Sequence, residues 1–178
     1  MGFYISTNGI IHPYHFSYLE GAVAPQRMEK TKIHSSEVIS TTSSVDKPIA
    51  FYSIQVMQSP VISFKMNTPV QEIKEKMKTL GIRHIPIINN SKLVGMVSDR
   101  DILKINNSGT FHFLKAKDIM SSVVLVCDEE TPLAHFAKVL LEEKVSCLPV
   151  IDKNQFLIGI ISRTDILKVI INNRVLIV

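Results

Sequence analysis

Two stretches of the chain repeat one pattern of apolar and polar positions. Residues 61–65 and 123–127 are short apolar runs of strand length. Each is followed by Thr-Pro (Thr68-Pro69 and Thr131-Pro132), which supplies N-cap and N1 chemistry for a helix. In the first stretch Gln71 completes a capping box with Thr68. Val70, Ile73, Met77 and Leu80 then recur at helical spacing, as do Leu133, Phe136, Leu140 and Leu141, which predicts one apolar face per helix. Gly81 is placed to end the first helix in the left-handed conformation. Residues 85–88 and 92–97 read as strands around the turn-forming Asn89-Asn90-Ser91, and residues 148–151 and 156–161 as strands around Asp152-Lys153-Asn154-Gln155. A last helix starts at Ser98 in one stretch and Ser162 in the other. Each stretch therefore predicts β-α-β-β-α.

The correspondence is an internal repeat. Residues 56–104 lie over residues 119–168 with one single-residue gap in the turn between the paired strands. The identical positions are Met57/Met120, Ser59/Ser122, Thr68/Thr131, Pro69/Pro132, Pro86/Pro149, Leu93/Leu157, Gly95/Gly159, Ser98/Ser162 and the run 101–104 over 165–168. A lone unit of about 50 residues buries too little surface to be comfortable, so the two copies are expected to fold as one body. The organisation expected is residues 1–54 as an N-terminal arm with a hairpin and linker, 55–104 as the first copy, 105–117 as a linker and 118–178 as the second copy. Within the arm, Thr7-Asn8-Gly9 between apolar residues signals a hairpin, and the Ser/Thr-rich residues 35–44 read as a linker or strap. The arm is expected to pack on the module or across a dimer.

Composition narrows the class. The chain has 178 residues, 46% hydrophobic and 20% charged, which excludes collagen-like, disordered and disulfide-framework proteins. Two cysteines, Cys127 and Cys147, in apolar contexts fit buried, inert thiols in a reducing compartment. Residues 1–10 have neither a basic nor an apolar signal region, and the long uncharged run 48–64 contains Gln55, Gln58 and Pro60. The expectation is a cytoplasmic protein that does not span a membrane. The net charge of +4 resolves into +6 over residues 55–117 and −2 over residues 118–178. Lys74, Lys76 and Lys78 alternate with acids and apolar residues, as on a solvated helix face, so nucleic acid is not the expected partner.

The closing motif of each copy carries candidate chemistry. Gly95 and Gly159 end strands where backbone must pass close to something. Ser98 and Ser162 cap the following helices, and Asp101 and Asp165 stand three residues on. One reading is a Ser-x-x-Asp box that only starts a helix. The other adds that free N–H groups at a helix start attract phosphate and that a carboxylate at that mouth suits a pair of ribose hydroxyls. Both can hold together.

With its opening segments Val56-Met57-Gln58-Ser59-Pro60-Val61 and Ile119-Met120-Ser121-Ser122-Val123-Val124, its loops Ile82-Arg83-His84-Ile85-Pro86 and Val145-Ser146-Cys147-Leu148-Pro149, and its closing Gly-x-x-Ser-x-x-Asp motifs, the chain resembles a tandem pair of cystathionine-β-synthase (CBS) domains, a Bateman module. The order of these motifs, twice over, is what carries the likeness. The resemblance implies an α+β fold, α/β-like, of two repeats packed as a pseudo-twofold pair. It also implies a stand-alone regulatory module that is not an enzyme, requires no cofactor, and binds AMP, ADP, ATP or an S-adenosylmethionine-like ligand. In similar proteins the Ser or Thr contacts phosphate or ribose and the Asp holds the ribose.

The same likeness implies how two clefts are assembled. One would join Met57, Ile62, Ile82 and Arg83 to Ser162 and Asp165. The other would join Met120, Leu125, Val145 and Ser146 to Ser98 and Asp101. Arg83 reads either as a phosphate contact or as a solvated surface charge. A homodimer through helical faces is implied as well, with a regulated protein partner that the residues do not identify. An interaction module with empty clefts is the competing reading. No metal site is expected, because Pro13 breaks the spacing between His12 and His15. No Walker loop, GxGxxG or nucleophile elbow is present.

Overall fold

The computed structural model describes residues 2–20, 51–105 and 111–172. The Ser/Thr-rich stretch 35–44 and the middle of the expected linker 105–117 lie outside the described residues. The chain opens with a hairpin, β1 (Phe3–Thr7) and β2 (Ile10–Tyr14), around Asn8 and Gly9 with φ of 52° and 86°. Two positive φ values in a two-residue turn match the right-handed twist of the strands, and Asn-Gly supplies them at least cost. The first copy contains β3 (Phe64–Lys65), α2 (Val70–Leu80), β4 (His84–Asn89), β5 (Lys92–Ser98) and α3 (Asp99–Ile105). The second contains β6 (Val123–Asp128), α5 (Leu133–Glu142), β7 (Cys147–Ile151), β8 (Leu157–Ser162) and α6 (Arg163–Asn172). Short helices α1 (Ser53–Val56) and α4 (Ala116–Ile119) precede the two copies. The architecture is α+β, with a three-stranded sheet β3-β4-β5 and a five-stranded sheet β2-β1-β6-β7-β8.

The two copies differ because the arm adds its strands to the sheet of only the second. In both, the opening strand pairs with the next through two residues, Phe64 and Lys65 with Ile87 and Ile88, and Cys127 and Asp128 with Val150 and Ile151. β6 extends back to Val123 because β1 pairs antiparallel along it, from Phe3 opposite Cys127 to Thr7 opposite Val123. Among the described residues no such partner lies along residues 61–63, so the strand expected over 61–65 shrinks to Phe64–Lys65. The arm is anchored by side chains too. Thr131 Oγ1 donates to the Gly2 carbonyl at 3.0 Å, and Ser6 Oγ donates to the Leu93 carbonyl at 3.0 Å. Phe16 is ringed by Phe3, Tyr14 and Tyr18 at centroid distances of 5.4, 4.7 and 5.0 Å.

Helix starts depart from the expected capping at α2 and α5. Pro69 and Pro132 are the N-caps and make no side-chain cap bond, so each helix begins one residue later than Thr-Pro suggests. Gln71 Nε2 donates to Glu75 Oε1 at 2.9 Å instead of reaching back to Thr68, and Asp128 Oδ1, at 2.8 Å, shares the single Thr131 hydroxyl proton with the Gly2 carbonyl. Gly81 closes α2 at φ 65°, as the sequence predicts. Val70, Ile73 and Met77 are buried, as are Phe136 and Leu140, but Leu80 and Leu141 are exposed. Val139 takes the inward position in the last turn of α5 that Leu141, one residue past Leu140, is rotated away from.

The lead-in helices cross over. Ser53 N–H donates to Thr131 O at 2.9 Å, and Val56, Phe51 and Met57 pack into the core built on Phe136 and Leu148 of the second copy. Ala116 N–H donates to Thr68 O at 2.9 Å, and Ala116, Ile119 and Met120 pack into the first copy's core around Ile73 and Ile85. A third cluster, Leu93, Met96, Val124, Val126, Cys147 and Ile151, joins the copies and takes in Tyr4 and Ile11 of the arm. Reciprocal backbone bonds mark the pseudo-twofold relation: Gln58 with Ile160, and Ser121 with Met96, at the corresponding place. Among the described residues no helix is long and apolar enough to cross a membrane.

Candidate ligand-binding clefts

Strands β5 and β8 end at Ser98 and Ser162, where each serine opens the following helix and is closed onto the aspartate three residues on. Ser98 N–H and Oγ donate to Asp101 Oδ2 at 3.0 and 2.6 Å, and Asp101 N–H returns a bond to Ser98 Oγ at 3.3 Å. Ser162 N–H and Oγ donate to Asp165 Oδ2 at 2.9 and 2.6 Å. The capping role of both pairs is therefore present, with the hydroxyls aimed at the carboxylates. Burial pushes the Asp101 carboxyl upward, but the two Ser98 donors and the Lys104 ammonium outweigh it and hold it below its ordinary value.

Each pair faces a cavity made from both copies. Asp165 and Ser162 line a cavity of about 610 Å³ together with Ile62, Ile82 and Arg83. Asp101 and Ser98 line one of about 320 Å³ together with Leu125, Val145 and Ser146. Both volumes lie in the range of small-molecule sites. Ten of the twelve residues expected at the clefts are thus brought together in two crossed sets. Met57 and Met120 are not in the cavity walls. Each lies on the glycine of the opposite copy: a Cβ at Gly159 would stand 2.8 Å from Met57 Cγ, and one at Gly95 would stand 2.6 Å from Met120 Sδ. The close approach expected at these glycines is made by the methionines.

The clefts share part of their lining and also hold side chains beyond the twelve expected. Arg83, His84 and Arg100, with Ser146 and Cys147, line both cavities, so the two share a wall. Lys104 and Lys144 add to the Asp101 cleft, and Arg163 and Lys168 to the Asp165 cleft. Each cavity has four Lys or Arg against one or two Asp, Asp99 being the second in the smaller. His84 is half-buried, and its pKa is lowered by that burial and by Arg83 and Arg100, against the pull of Asp99 and Asp101. A repeat signal for two of these existed: Lys104 and Lys168 are identical in the two copies and lie one helical turn beyond the aspartates. Their ammonium groups stand 3.5 and 3.4 Å from Asp101 Oδ1 and Asp165 Oδ1. Gln58 is a further addition, donating from Nε2 to Asp165 Oδ1 at 2.9 Å.

The comparison with known proteins agrees with this geometry. The CBS domain matches residues 53–107 and 116–172. The chain belongs to the CBS domain family. The CBS relatives include inosine-5'-monophosphate dehydrogenase of Methanocaldococcus jannaschii, 31% identical over 115 residues, which are 64% of this chain and 22% of the dehydrogenase. CBS domain-containing protein CBSX1 of Arabidopsis thaliana is 33% identical over 58% of this chain and 56% of its own length. The chain spans between about a fifth and three-fifths of these curated relatives. Among solved CBS structures, CBSX2 of Arabidopsis thaliana in complex with AMP is 26% identical with a TM-score of 0.63, over 70% of this chain and 98% of that one. The CBS domain pair of protein MJ0100, in complex with 5'-methylthioadenosine and S-adenosyl-L-methionine, is 25% identical with a TM-score of 0.61, over 67% and 98%. CBS pairs similar to this chain thus bind adenosyl ligands.

Proposed function

We propose that this CBS pair is a regulatory module that binds a phosphorylated adenine nucleotide in its two clefts and performs no covalent chemistry. The observation that carries the reading is the crossed composition of each cleft, with the Ser-Asp cap of one copy opposite the loop of the other. A molecule seated there touches both copies and favours whichever relative packing it fits best; that differential affinity is what a sensor requires. Asp101 and Asp165 suit ribose hydroxyls. The excess of Lys and Arg around both cavities, shared at Arg83 and Arg100, favours a phosphate over a sulfonium, so AMP, ADP or ATP is preferred to S-adenosylmethionine. The AMP complex of CBSX2 supports the same class.

Two parts of the reading concern assembly and place. Leu103 of α3 and Leu167 of α6 occupy equivalent positions and are 70% and 56% exposed, which supports a homodimer through the helical face. Sedimentation of Leu103→Asp tests this, with a monomer expected. The location proposed is the cytoplasm, on the buried free thiols.

The ligand reading is tested by thermal unfolding against AMP, ADP, ATP, S-adenosylmethionine, NAD and cyclic dinucleotides. A ligand that prefers the folded state raises the midpoint by mass action. The expected result is a rise with an adenine nucleotide that shrinks in Asp101→Ala or Asp165→Ala, each compared with its own unligated midpoint. No rise with any of them up to roughly millimolar concentration would favour an interaction module with empty clefts.

A further inference from the structure

The two aspartates are not equally available, and the difference traces to one side chain. An ionised carboxylate offers about four lone-pair sites, two on each oxygen. On both aspartates Oδ2 is fully used by its own serine, through N–H and Oγ. Any ligand hydroxyl must therefore be accepted at Oδ1. Asp101 Oδ1 has the Lys104 ammonium at 3.5 Å, which leaves one site open, and its side chain is 20% exposed. Asp165 Oδ1 has the Lys168 ammonium at 3.4 Å and in addition Gln58 Nε2 at 2.9 Å. Both of its sites are taken, and its side chain is only 6% exposed.

The repeat supplies the internal control. Position 58 corresponds to Ser121, which follows Met120 as Gln58 follows Met57. The backbones at both positions bond in the same way across the pair, Gln58 with Ile160 and Ser121 with Met96. The lysines are identical and the serine-aspartate caps are alike. What differs at the carboxylate is that a glutamine reaches it in one cleft and a serine, two bonds shorter, does not in the other.

We infer that Gln58 latches the Asp165 cleft, so that the smaller Asp101 cleft fills first and the larger one fills only when the glutamine is displaced. This rests on the nucleotide reading and deepens it: occupancy becomes sequential, and the second site responds at higher ligand concentration than the first. Gln58 is a positioning residue, acting through Asp165.

The test is calorimetric titration of the full chain with AMP, for the wild type, Gln58→Ser and its mirror Ser121→Gln. Residues 58 and 121 are exposed and their backbone bonds do not need the side chain, so both variants should fold, with Gln58→Ser lowering the unligated melting midpoint by no more than the few degrees that one hydrogen bond is worth; each titration is compared with its own unligated protein. The wild type is expected to show two affinity classes. Gln58→Ser should tighten the weaker class about tenfold, the scale of one hydrogen bond to a charged group, and leave the tighter one in place. Ser121→Gln should weaken the tighter class and spare the other. A weaker class that loosens or stays put in Gln58→Ser overturns the latch, as does a wild type with two equal sites; in those cases the nucleotide reading stands. No AMP uptake by the wild type at either cleft overturns both.

Discussion

Met120 packs directly on Gly95, with no room between them for a methyl group. A Cβ on Gly95 would stand 2.6 Å from the methionine sulfur and 2.9 Å from the backbone carbonyl oxygen of Ser121. At Gly159 the corresponding obstacles all belong to the Met57 side chain. A flexible thioether can swing aside, whereas the Ser121 carbonyl is held by the paired bonds to Met96. Gly95→Ala should therefore destabilise by about 1–3 kcal/mol, or roughly 2–4 °C per kcal/mol in melting temperature, and Gly159→Ala by less. Equal midpoints for the two variants in a thermal melt would contradict this account.

The arm should contribute stability out of proportion to its length. Phe3 is buried in the second copy's core, and among the described residues its strand is β6's only lateral partner over Val123 to Val126. Phe3→Ala should cost about 3–5 kcal/mol, while Ile10→Ala, at an exposed position of the same hairpin, should stay within about 0.5 kcal/mol. Denaturant unfolding of the two variants distinguishes them. A Phe3→Ala chain as stable as the wild type would mean that the hairpin merely rests on the sheet.

Histidine 84 predicts an acid-side loss of stability. Burial first, then Arg83 and Arg100, hold its pKa below the ordinary 6.5. The unfolded chain therefore takes up the proton before the folded one does, and stability present above pH 6.5 is lost as the pH falls below it. Melting temperature should drop between pH 7.5 and 5.5, and less steeply in His84→Gln. Parallel pH profiles for variant and wild type would remove His84 from this role.

Both cysteines should be silent in the folded state. Burial pushes the thiols of Cys127 and Cys147 up to about 12, so almost no thiolate exists at pH 8. Ellman's reagent is expected to react with neither until denaturant is added, and then with both. Fast labelling of the native protein at pH 8 would show that β6 or β7 opens far more often than its burial implies.

How much of this was legible in the sequence depended on the range of the interaction. The cap boxes at Ser98 and Ser162, the Asn8-Gly9 turn and the Gly81 stop are local chemistry, and each stands where its residues point. The strand over 61–65 and the inward turn at Leu141 were misjudged because strand length is set by a neighbour and facing by rotation within one helical turn. Met57 and Met120 matched their motif yet lie behind the cleft walls, since only the packed structure puts them on the opposite glycines. Gln58 was hidden for the converse reason: its partner, Asp165, is 107 positions away, and nothing near either residue records the pairing.

The crossing of α1 and α4 has a consequence for synthesis of the chain. When a ribosome has completed α3, the first copy still lacks Phe111, Ala116 and Met120, so its core cannot close. Phe3, Phe16, Tyr18 and Leu19, with Phe51, Val56 and Met57, are made earlier and belong to the core of the copy made last. β1 must wait more than a hundred positions for β6, a pairing of the long sequence separation that slows folding. The two halves are thus released together, and a chain arrested between them would emerge with neither core complete.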